Sequence, residues 1–168
     1  MTYFESYRAE FDQEMAITRR ILERVPDSDG DWRPHAKSMS LKQLAGHVAT
    51  MPCYITAVLT RDGVDVANAS WLARGFEATR AGWLAVFDKT LAEARQALQA
   101  AKDADLGRIW TLSAGPQKIF SLPRATALRS FAMNHMIHHR AQLGVYLRLK
   151  DVPVPSTYGP SADETMGR

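Results

Sequence analysis

The sequence predicts an all-α protein: a four-helix bundle with a long crossover between helices 2 and 3 and a small β-hairpin before helix 4. Three observations carry this. Four long segments repeat apolar residues at spacings of three and four, the stripe by which a helix faces a core. Pro and Gly clusters separate them. One short stretch, 106–122, instead resembles two strands around a turn.

Residues 3–25 form the first expected helix, with Phe4, Tyr7, Phe11, Glu14, Thr18, Ile21 and Val25 on one face. Pro26 ends it, because proline cannot continue the hydrogen-bond ladder. After a loop holding Gly30 and Pro34, Ser40 is the expected N-cap of a second helix over 41–60. Its stripe is Leu41, Leu44, Val48, Met51, Ile55 and Val58, and Pro52 should kink it. A crossover over 61–75 leads to a third helix over 76–101, with Leu84, Phe87, Leu91, Ala94 and Leu98 inward. Residues 109–112 and 118–121 would pair around 113–117. The fourth helix should run over 123–150, beginning at Pro123, an acceptable first-turn residue. Its seam reads Leu128, Ala132, His135, His139, Gln142, Tyr146 and Leu149. Residues 151–168, with three prolines, are expected to lie as a tail on the bundle surface. The whole chain, 1–168, reads as one domain.

Composition narrows the function. The formal charge is +3 and the pI about 9.2, but basic residues are scattered among acidic ones. Nucleic-acid binding draws on clustered charge, so no nucleic-acid partner is expected. The single cysteine, Cys53, excludes an intrachain disulfide and a cysteine-rich zinc site. The N-terminus is too charged for a signal peptide, and no apolar run approaches the roughly 20 residues of a membrane span. A cytoplasmic protein without membrane contact is the expectation.

The histidines carry the chemistry. Of the five (His35, His47, His135, His138 and His139), three fall within five residues. Residues four apart share a helix face, about 6 Å apart along the axis, so His135 and His139 can aim at one point. Helical zinc sites use that spacing. His47, at the edge of the second stripe, is the candidate third ligand from a facing helix. A lone core histidine is usually a hydrogen-bonded structural residue, and spacing alone leaves both readings open. His138 should point about 100° from His139, and His35 lies in a loop.

The segment Asn134–Leu143, with Val145–Arg148 after it, resembles the signature of the DinB family, a DinB/YfiT-like group of metalloenzymes unrelated to the translesion polymerase of similar name. Thr18-Arg19-Arg20, Trp32–His35 with Lys37–Leu41, and Val154–Glu164 resemble it too, in order along nearly the whole chain. The resemblance implies a four-helix bundle with a three-histidine metal site, its ligands falling on His47, His135 and His139. Ala141 stands where relatives often have Gly, a departure that concerns packing. The resemblance also implies a homodimer.

Three imidazoles without a thiolate suit one Zn, Ni or Fe ion, and three protein ligands leave an open coordination position. Resemblance implies thiol S-transferase-type chemistry on a small molecule, with a low-molecular-weight thiol as partner. Hydrolysis and a non-catalytic, metal-binding stress-response role are the alternatives. The reactive group would be a metal-bound water or thiolate. Glu14 is a weak candidate for base, its ordinary role being a wet position at the bundle rim. Gln142 is expected to satisfy a helix neighbour, and Arg140 and Arg148 to be surface or interface residues rather than substrate clamps. Trp32, Trp71, Trp83 and Trp110 could line a pocket, though core positions are commoner for them.

Overall fold

A computed structural model describes residues 2–69 and 77–165. The protein is mostly helical with a small three-stranded sheet. Helix α1 (Tyr3–Leu22) starts in a capping box: Thr2 accepts from the Glu5 backbone while the Glu5 carboxylate takes the Thr2 N–H. Every residue of its expected stripe is buried, Glu14 included. The expected cap at Ser40 opens α2 (Leu41–Thr50), completed by Gln43. Pro52 divides the second helix: α2 ends before Met51 and α3 (Pro52–Thr60) begins at the proline, which has no N–H to offer the preceding turn. Thr79 caps α4 (Arg80–Ala100). The expected start of that helix at Phe76, the last part of the crossover and Trp71 lie outside the described residues.

The β structure is larger than a hairpin. Strand β1 (Gly63–Asp65), inside the expected crossover, pairs in parallel with β2 (Ile109–Ala114), which pairs antiparallel with β3 (Gln117–Pro123). A three-residue strand has no readable alternation, which is why the sequence pattern conceals it. Gly63 is required there, since a Cβ would stand 2.5 Å from the Thr111 carbonyl oxygen. The hairpin turns on Gly115, at φ 58°, followed by Pro116, a pairing suited to the tight turn between twisted strands. Asp65 accepts from the Gly115 N–H at 2.8 Å and so ties β1 to that turn.

The last helical stretch holds the largest departure from expectation. It comprises α5 (Arg124–Thr126), a π-helical segment (Ala127–Met133) and α6 (Asn134–Leu149). A π-turn takes up extra residues, so the face counted at 3.6 per turn slips. Leu128, Ala132 and Tyr146 are buried as expected, but beyond Ala132 the core face is otherwise Met136, Arg140, Leu143 and Leu147. Gln142 is exposed, Leu149 is 55% exposed, and His135 and His139 are half-buried at the flank rather than central.

α6 packs on α1 and α2, and α4 packs on α1, α2 and α3. The tail is held on the surface, as expected. Glu164 takes Arg20 and Arg24, and Asp163 takes Arg148 and the Val154 N–H. No helix among the described residues is long and apolar enough to cross a membrane.

Candidate metal centre

His47 reaches the site from the last turn of α2, and His135 and His139 from successive turns of α6. Because α2 and α6 pack together, the three rings meet: centroids lie 5.3 Å apart for His47–His135, 4.6 Å for His47–His139 and 4.7 Å for His135–His139. One ring nitrogen from each lies within 4.8 Å of the others. Donors around a tetrahedral zinc stand about 3.3 Å apart, so the rings would draw closer to share one ion. No carboxylate or thiolate among the described residues joins the cluster.

The chain's own contacts fit an ion. The Nδ1 of His135 is buried without a hydrogen-bond partner among the described residues, and an ion is one group that would satisfy it. The Nδ1 of His139 lies 2.7 Å from Oε1 of Gln142. A carbonyl oxygen only accepts, so Nδ1 carries the proton and the Nε2 lone pair is left free. Gln142 thus satisfies a helix neighbour, as expected, and that neighbour is a triad histidine. Burial, then the neighbouring His139, pushes His47 down to about 4. Burial first, then the other histidines, does the same to His135, also to about 4. His139 is lowered mainly by burial, against the raising effect of Gln142. All three are therefore neutral near pH 7, the form that ligates metal.

These shifts set a pH dependence for the metal-free protein. Unfolded imidazoles take up protons near pH 6.5, whereas folded His47 and His135 do so near pH 4. Between these limits the unfolded state holds more protons, so stability falls as pH drops from about 6.5 toward 4 and is level above. Urea titrations of metal-free protein at pH 7.5, 6 and 5 should show that slope, and His47→Gln should flatten it.

The family model of the DinB family matches residues 2–166. The chain belongs to the DinB family. Among solved structures, a DinB-like protein from Bacillus cereus matches with a TM-score of 0.69 at 21% identity, over 92% of this chain and 97% of that one. The DinB-like YjoA of Bacillus subtilis matches at 0.67 and 18%, over 95% and 97%. At such identities the likeness speaks for the DinB fold alone. No curated protein matches the chain.

Other sequence candidates fall elsewhere in this DinB protein. Glu14 is not at a wet rim: it is 4% exposed and paired with Arg140 at 2.7 Å. The Tyr158 hydroxyl lies 2.8 and 2.9 Å from its two carboxylate oxygens. Both oxygens being engaged, Glu14 is not a free base. Arg140, expected at the surface, is 2% exposed and also donates to the Glu14 carbonyl and the Thr18 hydroxyl, at 3.0 and 3.2 Å. A stripe read on one helix cannot show that a partner waits on another. Arg148 is on the surface as expected, beside Asp163. His138 is exposed, its ring 4.8 Å from that of His139, and His35 is exposed, accepting from the Lys37 N–H.

Trp83 and Trp110 are core residues, while Trp32 packs on Tyr146 under the Lys150 ammonium. The rings that do flank the triad are Phe131, stacked 5.6 Å from His135, and Tyr54, 5.9 Å from it. Burial pushes the Tyr54 phenol up to about 12. Phe131 precedes His135 by four residues, a spacing that offered a signal in the sequence. Two cavities, of about 510 and 460 Å³, lie away from the triad, one between α1 and the start of the last helical stretch, the other between α6 and the tail.

Proposed function

We propose that this DinB protein is a metal-dependent enzyme in which His47, His135 and His139 hold one divalent ion (Zn, Ni or Fe), leaving a position open to a small molecule. The chemistry proposed is thiol S-transfer: a low-molecular-weight thiol gives up its proton to water, its sulfur forms a bond to an electrophilic carbon, and the group on that carbon leaves as an anion, chloride for a chloronitrobenzene. The observation that supports this is the donor set, three neutral imidazoles converging with no carboxylate or thiolate among them. An ion held there would lower the pKa of a bound thiol toward neutrality.

The chain's residues have separate parts in this reading. Gln142 holds the His139 ring through Nδ1, which leaves Nε2 for the ion. Phe131 holds the His135 ring by stacking. The one buried carboxylate among the described residues, Glu14, is tied to Arg140 and Tyr158, which disfavours hydrolysis. Hydrolysis leans on a positioned base, whereas a thiol with a lowered pKa releases its proton to water. The helices are read as a four-helix bundle forming one domain. Exposed Val145 and Leu149 on α6 would serve a homodimer.

The test is consumption of a small thiol by a chloronitrobenzene electrophile, followed by absorbance with zinc- or nickel-loaded protein. The expected result is turnover above the metal-free protein and above the ion alone, lost in His135→Ala. Equal rates with and without the ion contradict the proposal.

A further inference from the structure

The triad does not sit in a uniform surface. Toward the C-terminal part of α6 its neighbours are exposed and polar, His138 and Gln142. Toward the sheet they are aromatic. Phe131 stacks on His135 with an interplanar angle of 29°, and lies 5.0 Å from Tyr54 and 5.4 Å from Phe120. Trp110, fully buried, lies 5.4 Å from Phe131 and 6.1 Å from Phe120, and backs both rings. These separations are those of packed aromatic pairs. Four elements build the wall: Tyr54 comes from α3, Trp110 from β2, Phe120 from β3 and Phe131 from the π-helical segment.

One feature distinguishes this wall from ordinary core. Phe120 and Phe131 are only partly buried, so flat apolar surface stays in contact with solvent beside the histidines. Tyr54 is 9% exposed and packs edge-on against Phe131.

We propose that Phe131, Phe120 and Tyr54 form a subsite for a flat apolar group, so that the small molecule bound at the triad carries an aromatic or similarly planar ring beside its metal-seeking atom. The inference rests on the reading of the triad as a metal centre. The ring lies against Phe131 and Phe120, with the Tyr54 ring edge-on to Phe131. Any charged part of the molecule faces His138, Gln142 and water. Ligand sites commonly combine apolar walls with a few polar groups in this way.

Two hydroxamates separate the metal from the wall, because they share a chelating head and differ in the tail. The protein is loaded with cobalt(II), and its visible absorption is titrated with acetohydroxamate and with benzohydroxamate. The ratio of the two affinities is compared between wild type and variants, which cancels intrinsic differences between the heads. Wild type should favour the phenyl compound, and Phe131→Ala should cut that preference roughly tenfold, the scale of one lost ring contact. Phe131→Leu keeps most of the buried volume and should retain an intermediate preference, which separates loss of the wall from loss of fold. Tyr54→Phe keeps the ring and should keep the phenyl preference. An unchanged ratio in Phe131→Ala overturns the subsite and leaves the metal centre standing. Cobalt bound without response to either compound overturns the open position and the subsite together. Failure to bind cobalt overturns the metal reading itself.

Discussion

Zinc added to the metal-free protein should raise its stability by about 2.7 kcal/mol when free zinc reaches a hundred times its dissociation constant. His47→Ala, His135→Ala and His139→Ala should each remove that gain. The physical reason is that three imidazoles from two helices meet at one point, so an ion held there clamps α2 to α6. Removing a residue that merely orients a ligand typically costs 10- to 100-fold in metal affinity, so removing a ligand should cost at least about a hundredfold. His138→Ala is the internal control, because that ring is exposed and touches the triad only through His139. Thermal melts with and without zinc give the answer. The same zinc shift in wild type and in all three triad variants would place any bound zinc elsewhere.

The second large effect is on folding. Glu14→Ala should destabilise the protein by about 3–5 kcal/mol, because it leaves the buried Arg140 guanidinium without its counter-charge. The side chains of Arg140 and Glu14 are 3% and 6% exposed, so water cannot take over the role. Tyr158 would lose its acceptor as well, loosening the tail where Arg140 and Tyr158 also meet at 2.6 Å. The double replacement Glu14→Leu with Arg140→Met should recover most of the loss, since a buried pair exchanged for apolar side chains of similar volume is often close to neutral. Urea denaturation of the wild type and the two variants measures this. A Glu14→Ala cost below about 1 kcal/mol would mean that the pair is solvated.

The helices were legible because their signals are local. The α1 stripe, the Ser40 cap and the break at Pro52 each depend on residues within a turn or two of one another. The triad was legible for a related reason. His135 and His139 announce themselves at helical spacing, and His47 lies on the flank of a stripe whose face was known.

What stayed hidden depends on distant parts of the chain. Glu14 looked like a polar residue at a rim because its partners come from α6 and from the tail. Thr18 and Arg20 on α1, Arg140 on α6, and Tyr158 and Glu164 in the tail all belong to stretches that carried the DinB resemblance. In the folded protein buried Thr18 and Arg140 join Glu14 in one network that the exposed Tyr158 caps, and Arg20 and Glu164 form an ion pair that holds the same tail. The π-helical segment was invisible for another reason: a slip of face leaves no mark in composition, and it moved the seam onto Arg140 and Leu143. That same slip places the histidines at the flank, half open, where a small molecule can approach.

The central claim is a three-histidine centre with one position left for an outside ligand. X-ray absorption spectroscopy of the zinc-loaded protein, with zinc measured per chain by elemental analysis, tests it most directly. The account predicts one zinc per chain, three imidazole nitrogens at about 2.0–2.1 Å and one further light donor that is replaced when a small thiol is added. A zinc held by four protein ligands and unchanged by thiol, or a protein that takes up no zinc, would contradict it.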